Sequence, residues 1–211
     1  MNKSYIVTFP RSGHHILLGL LDSYVNVSDN YCEFYECKNN KNESIHCPMN
    51  NDNWTAKKSQ CGSGRQLIKS HDFDLELKYS EEINYLVQLR NPILSIQSWY
   101  ELQGKDLNNK EEWEDFFTDK FEFWKRFVDK WLALSDRKNV LVVNYDSLSD
   151  YSYIDNIRRF LSLPFRDENR YSSDRFNPKR KAIKDPYGFL AENEDSVSDR
   201  LRRLGIDRIF S

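Results

Sequence analysis

The stretch Tyr5-Ile-Val-Thr-Phe-Pro-Arg-Ser-Gly-His-His-Ile-Leu-Leu-Gly-Leu-Leu21 decides the fold. An apolar, β-prone run meets a Pro-Arg-Ser-Gly turn and passes into an amphipathic segment, which reads as strand, loop and helix. Residues Tyr5 to Phe9 deliver the chain to the turn, and Gly13 lets the backbone curl. A helix starting near His14 then points its unbonded N–H groups at whatever lies in front of it, and an anion is the natural occupant. Arg11 adds a permanent charge with a forked donor set suited to phosphate or sulfate oxygens, so the implied guest is a phosphorylated nucleotide. The loop is not the triphosphatase P-loop. That motif requires a second glycine, a lysine and a magnesium-binding hydroxyl in fixed order, and these do not follow Phe9.

Working outward, Arg65–His71 reads as a short strand and Ile83–Arg90 as a longer one with the apolar content of a buried strand. Pro92 stands where a helix would begin, with Ile93, Ile96, Trp99 and Tyr100 at helical spacing. From Glu111 to about Asp136 the residues Trp113, Phe116, Phe117, Phe121, Trp124, Phe127, Val128, Trp131 and Leu132 trace one broad apolar face of a long helix, most simply core. Val140–Tyr145 is another buried strand, followed by a helix over about Tyr153–Leu161. Beyond Pro164 the chain is basic and irregular through Lys184, and a last helix is expected over about Asp195–Leu204. Residues 28–64 are rich in Asn, Lys, Ser and Cys without a sustained period. They read as a long surface excursion whose Tyr31, Phe34, Tyr35 and Trp54 pack it onto the body or line an acceptor pocket.

Strands separated by helical connections imply right-handed βαβ crossovers. The fold class is therefore α/β: a single domain over 1–211 with a mainly parallel central sheet flanked by helices. Ligands in such folds collect at the carboxyl ends of strands, which places Arg11, His71, Arg90 and Tyr145 along one edge.

Composition bounds the partners. The chain has 211 residues, 39% of them hydrophobic and 14% aromatic, with 31 Lys plus Arg against 33 Asp plus Glu and a net charge of −2. A core is affordable at this length, and no global field draws the protein to nucleic acid or an anionic membrane. No segment has the apolar length of a membrane span, and the N-terminus lacks the pattern of a secretory signal, so the expected location is cytoplasmic. Sequons at Asn2, Asn26, Asn42 and Asn53, with four cysteines, leave the secretory lumen as the alternative. The spacing of Cys32, Cys37, Cys47 and Cys61 does not match paired zinc knuckles, and favours thiols or a local disulfide.

Three segments in order resemble the sulfotransferase family, which transfers a sulfuryl group from 3′-phosphoadenosine 5′-phosphosulfate (PAPS) to an acceptor. Thr8-Phe-Pro-Arg-Ser-Gly13 is similar to its 5′-phosphosulfate loop, Tyr-Pro-Lys-Ser-Gly-Thr. Ile68-Lys-Ser-His71 is similar to the Lys-Thr-His strand end of its cytosolic branch. Leu89-Arg-Asn-Pro-Ile-Leu-Ser-Ile-Gln-Ser98 is similar to its 3′-phosphate motif, with a serine eight residues after the arginine. A fourth echo, Val140–Leu148, resembles a strand ending in Tyr-Glu-x-Leu, whose tyrosine approaches the adenine. The resemblance covers about residues 4 to 163 and implies a P-loop-like sulfotransferase fold.

It also implies roles. His71 would be the general base; Arg11 and Lys69 would stabilise charge on the leaving bridge oxygen. Arg11, Ser12, Gly13, His14 and His15 would surround the 5′-phosphate, with Arg90 and Ser98 on the 3′-phosphate and Tyr145 near adenine. Arg180 and Lys181 are a loose counterpart of the family's final Arg-Lys-Gly segment. The donor would be PAPS, the product adenosine 3′,5′-bisphosphate, and no metal would be required. The acceptor is a hydroxyl on a carbohydrate or small molecule, its pocket open or completed by another subunit of a homo-oligomer. Arg11 replaces the lysine of the cytosolic branch, His14 and His15 stand at usual hydroxyl positions, and Ile16 replaces an adenine-packing aromatic. The alternatives are a P-loop-like nucleotide kinase using magnesium and a triphosphate, and a nucleotide-binding module without turnover.

Overall fold

The protein is described by a computed structural model, which places residues 3–22, 30–32 and 66–164, with isolated positions at 195, 198, 199 and 202. Five strands form one sheet: β1 (Ser4–Thr8), β2 (Tyr31–Cys32), β3 (Leu67–Ser70), β4 (Asn84–Leu89) and β5 (Val140–Asn144), in the order β2-β3-β1-β4-β5. Every pairing among them is parallel. The runs Ser4–Thr8 and Leu67–Ser70 are buried at every position, as strands covered on both faces must be.

Alternation along β1 sends its side chains to two cores. Tyr5, Val7 and Phe9 join Ile68, Tyr85, Val87 and Leu89 beneath α2 (Pro92–Leu102) and α3 (Lys110–Leu132). Ile6 joins Leu67, Leu86 and Val143 beneath α1 (His14–Leu21) and α4 (Tyr151–Phe160). The period-two pattern of one strand therefore builds a three-layer domain. The aromatic stripe of α3 is core as expected: Trp113, Trp124 and Trp131 are buried in full. Each such side chain removed from water stabilises the fold by roughly 2–3 kcal/mol.

Helix boundaries follow local chemistry. Asn91 caps α2, its side-chain oxygen accepting from the N–H groups of Ile93 and Leu94, with Pro92 at the first helical position. Asn109 and Asp150 cap α3 and α4 in the same way. The expected helix over 111–136 is observed over Lys110–Leu132, and the one over 153–161 over Tyr151–Phe160.

Two expectations need correction. Within 28–64, read as a surface excursion, Tyr31 and Cys32 form the edge strand β2 and are buried against β3. A two-residue strand carries no period, so nothing in its pattern announces it. Tyr145 opens a 3-10 turn (Tyr145–Ser149) instead of ending β5, because the side chain of Asn144 accepts from the Asp146 N–H and starts that turn. Of the cysteines, Cys32 is a buried thiol outside any disulfide. Cys37, Cys47, Cys61, Arg180 and Lys181, and most of the expected helix near 195–204, lie outside the described residues.

Candidate active site

The cradle is a turn followed by a left-handed hinge. The Ser12 N–H donates to the Phe9 carbonyl at 3.1 Å, closing a β-turn with Pro10 and Arg11 at its centre. Pro10 suits the first central position; Arg11 takes the second at φ 64°, a region that costs a non-glycine residue about 1–2 kcal/mol. Gly13 follows at φ 87° and is the cap of α1, where the carbonyl of Gly13 accepts from Ile16 and Leu17. No side chain caps this helix and its first turn holds no acidic residue, so its dipole faces the cradle without internal neutralisation.

The sheet brings the other motifs to that turn. β4 lies beside β1 with Thr8 opposite Gln88, so the chain leaving β4 reaches Arg11 from the side. Arg90 Nη1 donates to the Arg11 carbonyl at 3.3 Å, and Arg11 Nε donates to Ser98 Oγ at 3.1 Å. Arg11, Arg90 and Ser98 thus converge, although Ser98 is 87 residues from Arg11 in the chain. Arg90 Nε is buried and has no hydrogen-bond partner among the described residues. Its guanidinium sits 4.4 Å from the centroid of the Tyr145 ring. Tyr145 is 3% exposed, and burial pushes its phenol above the usual range while the Arg90 charge opposes that shift. The Tyr145 ring therefore braces the Arg90 guanidinium.

On the other side of β1, β3 delivers Lys69 and His71. Lys69 is buried, opposite Ile6 in the register. His71 Nδ1 donates to the Thr8 carbonyl at 2.8 Å, with Thr8 Oγ1 at 3.2 Å. A carbonyl only accepts, so the neutral ring carries its proton on Nδ1 and presents Nε2 as the basic nitrogen. His14 is buried with Nε2 2.5 Å from Tyr31 Oη, its ring 6.4 Å from that of His71 and 5.6 Å from that of His15. Burial first, then the charges of Lys69, His71 and His15, hold its pKa well below the ordinary value.

Several contributors escaped the sequence reading. Gln88 is a buried amide whose Nε2 donates to the Ser12 carbonyl, fixing the cradle from below. The signal for it was a lone polar residue inside the apolar run of β4. Ser95 holds Ser12 across 3.4 Å between buried hydroxyls, and Tyr31 reaches His14 from the edge strand. Neither contact has a local signature, because both partners come from different elements.

A parallel sheet wound on both faces, with a glycine-hinged turn after its central strand and basic groups at the neighbouring strand ends, defines a P-loop-like α/β domain. The chain belongs to the sulfotransferase domain family, whose model matches residues 2–177. Its fold is similar to that of a mouse sulfotransferase complexed with PAP, at TM-score 0.62 and 15% identity, covering 98% of this chain and 86% of that one. It is also similar to a sulfotransferase from Alicyclobacillus acidocaldarius, at TM-score 0.54 and 14% identity, covering 100% and 97% of the two chains. The sulfotransferase domain of a Synechococcus olefin synthase follows at TM-score 0.51 and 20% identity, covering 95% and 86%. No curated protein matches the sequence significantly. Among the described residues no group of three or more His, Cys, Asp or Glu is placed to hold a metal, and no helix is long and apolar enough to cross a membrane.

Proposed function

We propose that this chain uses PAPS as donor substrate and transfers its sulfuryl group to an acceptor hydroxyl. The observation that supports this most is the convergence of Arg11, His71 and Arg90 around the end of β1, with Lys69 on the neighbouring strand near enough for its charge to act on His14. The residues fit the two ends of such a donor: Ser12 and the N–H groups around Gly13 at the 5′-phosphate, Arg90 and Ser98 at the 3′-phosphate.

His71 Nε2 takes the proton of the acceptor hydroxyl as its oxygen bonds to sulfur, and the bond from sulfur to the bridging phosphate oxygen breaks. The electron pair stays on that oxygen. Arg11 and Lys69 would face the charge that grows there, where a fixed cation stabilises the leaving oxygen. The Thr8 carbonyl orients His71 and favours the imidazolium that forms.

Calorimetric titration with adenosine 3′,5′-bisphosphate and with ATP plus magnesium separates this reading from a kinase. Bisphosphate binding is the expected result; tight ATP binding with no response to the bisphosphate would refute the proposal. In a labelled-sulfate transfer assay across acceptor pools, His71→Ala should lose about 10²- to 10⁴-fold in rate while keeping nucleotide affinity. Full activity in that variant would remove His71 as the base.

A further inference from the structure

Just past His71 the chain makes a turn that its residue types do not favour. The Leu75 N–H donates to the Asp72 carbonyl at 2.9 Å, with Asp72 at φ 47° and Leu75 at φ 54°. Non-glycine residues avoid these left-handed conformations, and such strain gathers where a side chain must be held for a task. The anchor is deep: the Asp72 carboxylate accepts from Lys130 Nζ and Trp131 Nε1, and Lys130 also donates to the carbonyls of Leu75 and Leu77. Between the two strained residues stands Phe73, 41% exposed. Among the described residues only Phe73 and Leu102 are large hydrophobic side chains left open to solvent.

The Phe73 ring lies 5.2 Å from that of His71, 6.0 Å from that of Trp99 and 6.4 Å from that of Phe123, and it is stacked on the last. Phe9, the residue after β1, packs against Trp99 and Phe123 at 6.0 and 5.4 Å. A wall of rings therefore runs from the proposed base across the end of β1 to α2 and α3. Phe73, Phe123 and Phe9 carry no side-chain hydrogen-bonding group. A polyol pressed on this wall would give up bonds to water without replacing them, whereas a flat apolar ring gains at each contact. The base favours the same guest. A phenol ionises at a pH of about 10 and an aliphatic alcohol is far less acidic, so a neutral imidazole takes the phenol's proton more readily.

We propose that the strained turn presents Phe73 as the acceptor platform, and that the acceptor is an aryl alcohol whose ring lies against Phe73 with its hydroxyl at His71 Nε2. The inference rests on the sulfotransferase reading above and gives it an acceptor class. Because the Phe73 and His71 rings are neighbours, a ring stacked on the first carries its oxygen beside the second without a linker. Phe73 selects the acceptor, His71 takes its proton, and the turn anchored by Lys130 sets the distance between them.

A labelled-sulfate transfer assay with PAPS and two acceptors, a naphthol and methyl glucoside, tests this beside bisphosphate titrations of each protein. The unmodified chain should favour the naphthol by about a hundredfold or more in kcat/KM. Phe73→Ala should raise the KM for the naphthol by about tenfold, with a smaller change in kcat and with bisphosphate affinity held within about twofold. Phe73→Leu keeps apolar bulk and loses the flat face, so it should behave as Phe73→Ala does; a role in packing alone would be rescued by leucine. Phe73→Tyr keeps the ring and should stay within about threefold of the unmodified chain in KM.

If Phe73→Ala does not fold, Phe73→Leu carries the test. A preference for the glucoside, an unchanged KM for the naphthol in Phe73→Leu, or bisphosphate binding without transfer to the naphthol overturns this inference alone. Failure of the unmodified chain to bind the bisphosphate overturns the sulfotransferase reading and the inference with it.

Discussion

A Cβ placed on Gly13 would fall inside the van der Waals envelope of the Tyr145 ring edge and 3.3 Å from Gln88 Nε2. The same residue holds φ at 87°, so both the space and the backbone conformation require glycine. Gly13→Ala should lower stability by at least about 1–2 kcal/mol from backbone strain alone, read as a shift in the urea midpoint. It should also abolish bisphosphate binding, since Tyr145 braces Arg90 and its displacement releases that guanidinium. Retained affinity in a folded variant would show that the cradle tolerates a rearranged Tyr145. His14 makes a second prediction at this scale. Its folded pKa is lowered, so the unfolded chain takes up the proton first as pH falls below about 6.5. The stability linked to it is complete above that pH and declines below it, by up to about 1.4 kcal/mol per pH unit. Urea midpoints measured at neutral and mildly acidic pH should therefore converge in His14→Asn relative to the unmodified chain. Lys69, His15, His71 and Tyr31 are the titratable groups facing that ring, and they remain in the variant.

Between elements, the tie that matters most to His71 is the one its neighbour makes. Asp72 is 1% exposed and accepts from Lys130 Nζ at 2.6 Å, Trp131 Nε1 at 3.2 Å and the Leu77 N–H at 2.8 Å, binding the exit of β3 to the end of α3. Lys130 also donates to the carbonyls of Leu75 and Leu77, so one ammonium shapes the whole turn after the proposed base. Breaking a buried pair from one side strands the other charge, and Lys130→Met should cost about 3–5 kcal/mol. Thermal or urea unfolding measures that loss; the exposed pair of Lys105 with Glu112 should contribute no more than about 1 kcal/mol by the same measure. A loss below that of the surface pair would show that the Lys130 ammonium does not hold the turn. The strand ends carrying Arg11, His71 and Arg90 were legible in the sequence because parallel strands covered on both faces read as unbroken apolar runs. The long helix was legible from its aromatic stripe. The Asp72–Lys130 tie was not, because it joins residues 58 apart that show no pattern until the fold pairs them. The same holds for Gln88 beneath Ser12 and for Tyr31 against His14.

Across the whole molecule, the chain leaves β1, runs out to the edge at β2, returns to β3, and then crosses to β4 and β5 on the far side. The winding reverses beside β1, which is where open parallel sheets form their binding crevice, and the cradle stands there. Strand order itself was beyond the sequence, since right-handed crossovers fix handedness but not which neighbour each strand takes. That order has an energetic consequence. β2 is registered on β3 through only two pairs, Tyr31 with Leu67 and Cys32 with Ile68, yet it carries the hydroxyl that meets His14. Releasing β2 breaks a contact at the cradle, so a ligand that needs this contact must hold the edge strand in place. Cys32, fully buried next to Tyr31, reports that release, because its thiol meets an alkylating reagent only when β2 opens. Adenosine 3′,5′-bisphosphate at a hundred times its dissociation constant should slow alkylation of Cys32 by up to about a hundredfold, equivalent to about 2.7 kcal/mol. Mass spectrometry of the Cys32 peptide during quenched labelling measures the rate. Tyr31→Phe should lose most of that protection, whereas a rate in the unmodified chain that ignores the nucleotide would show that the edge strand opens independently of the site.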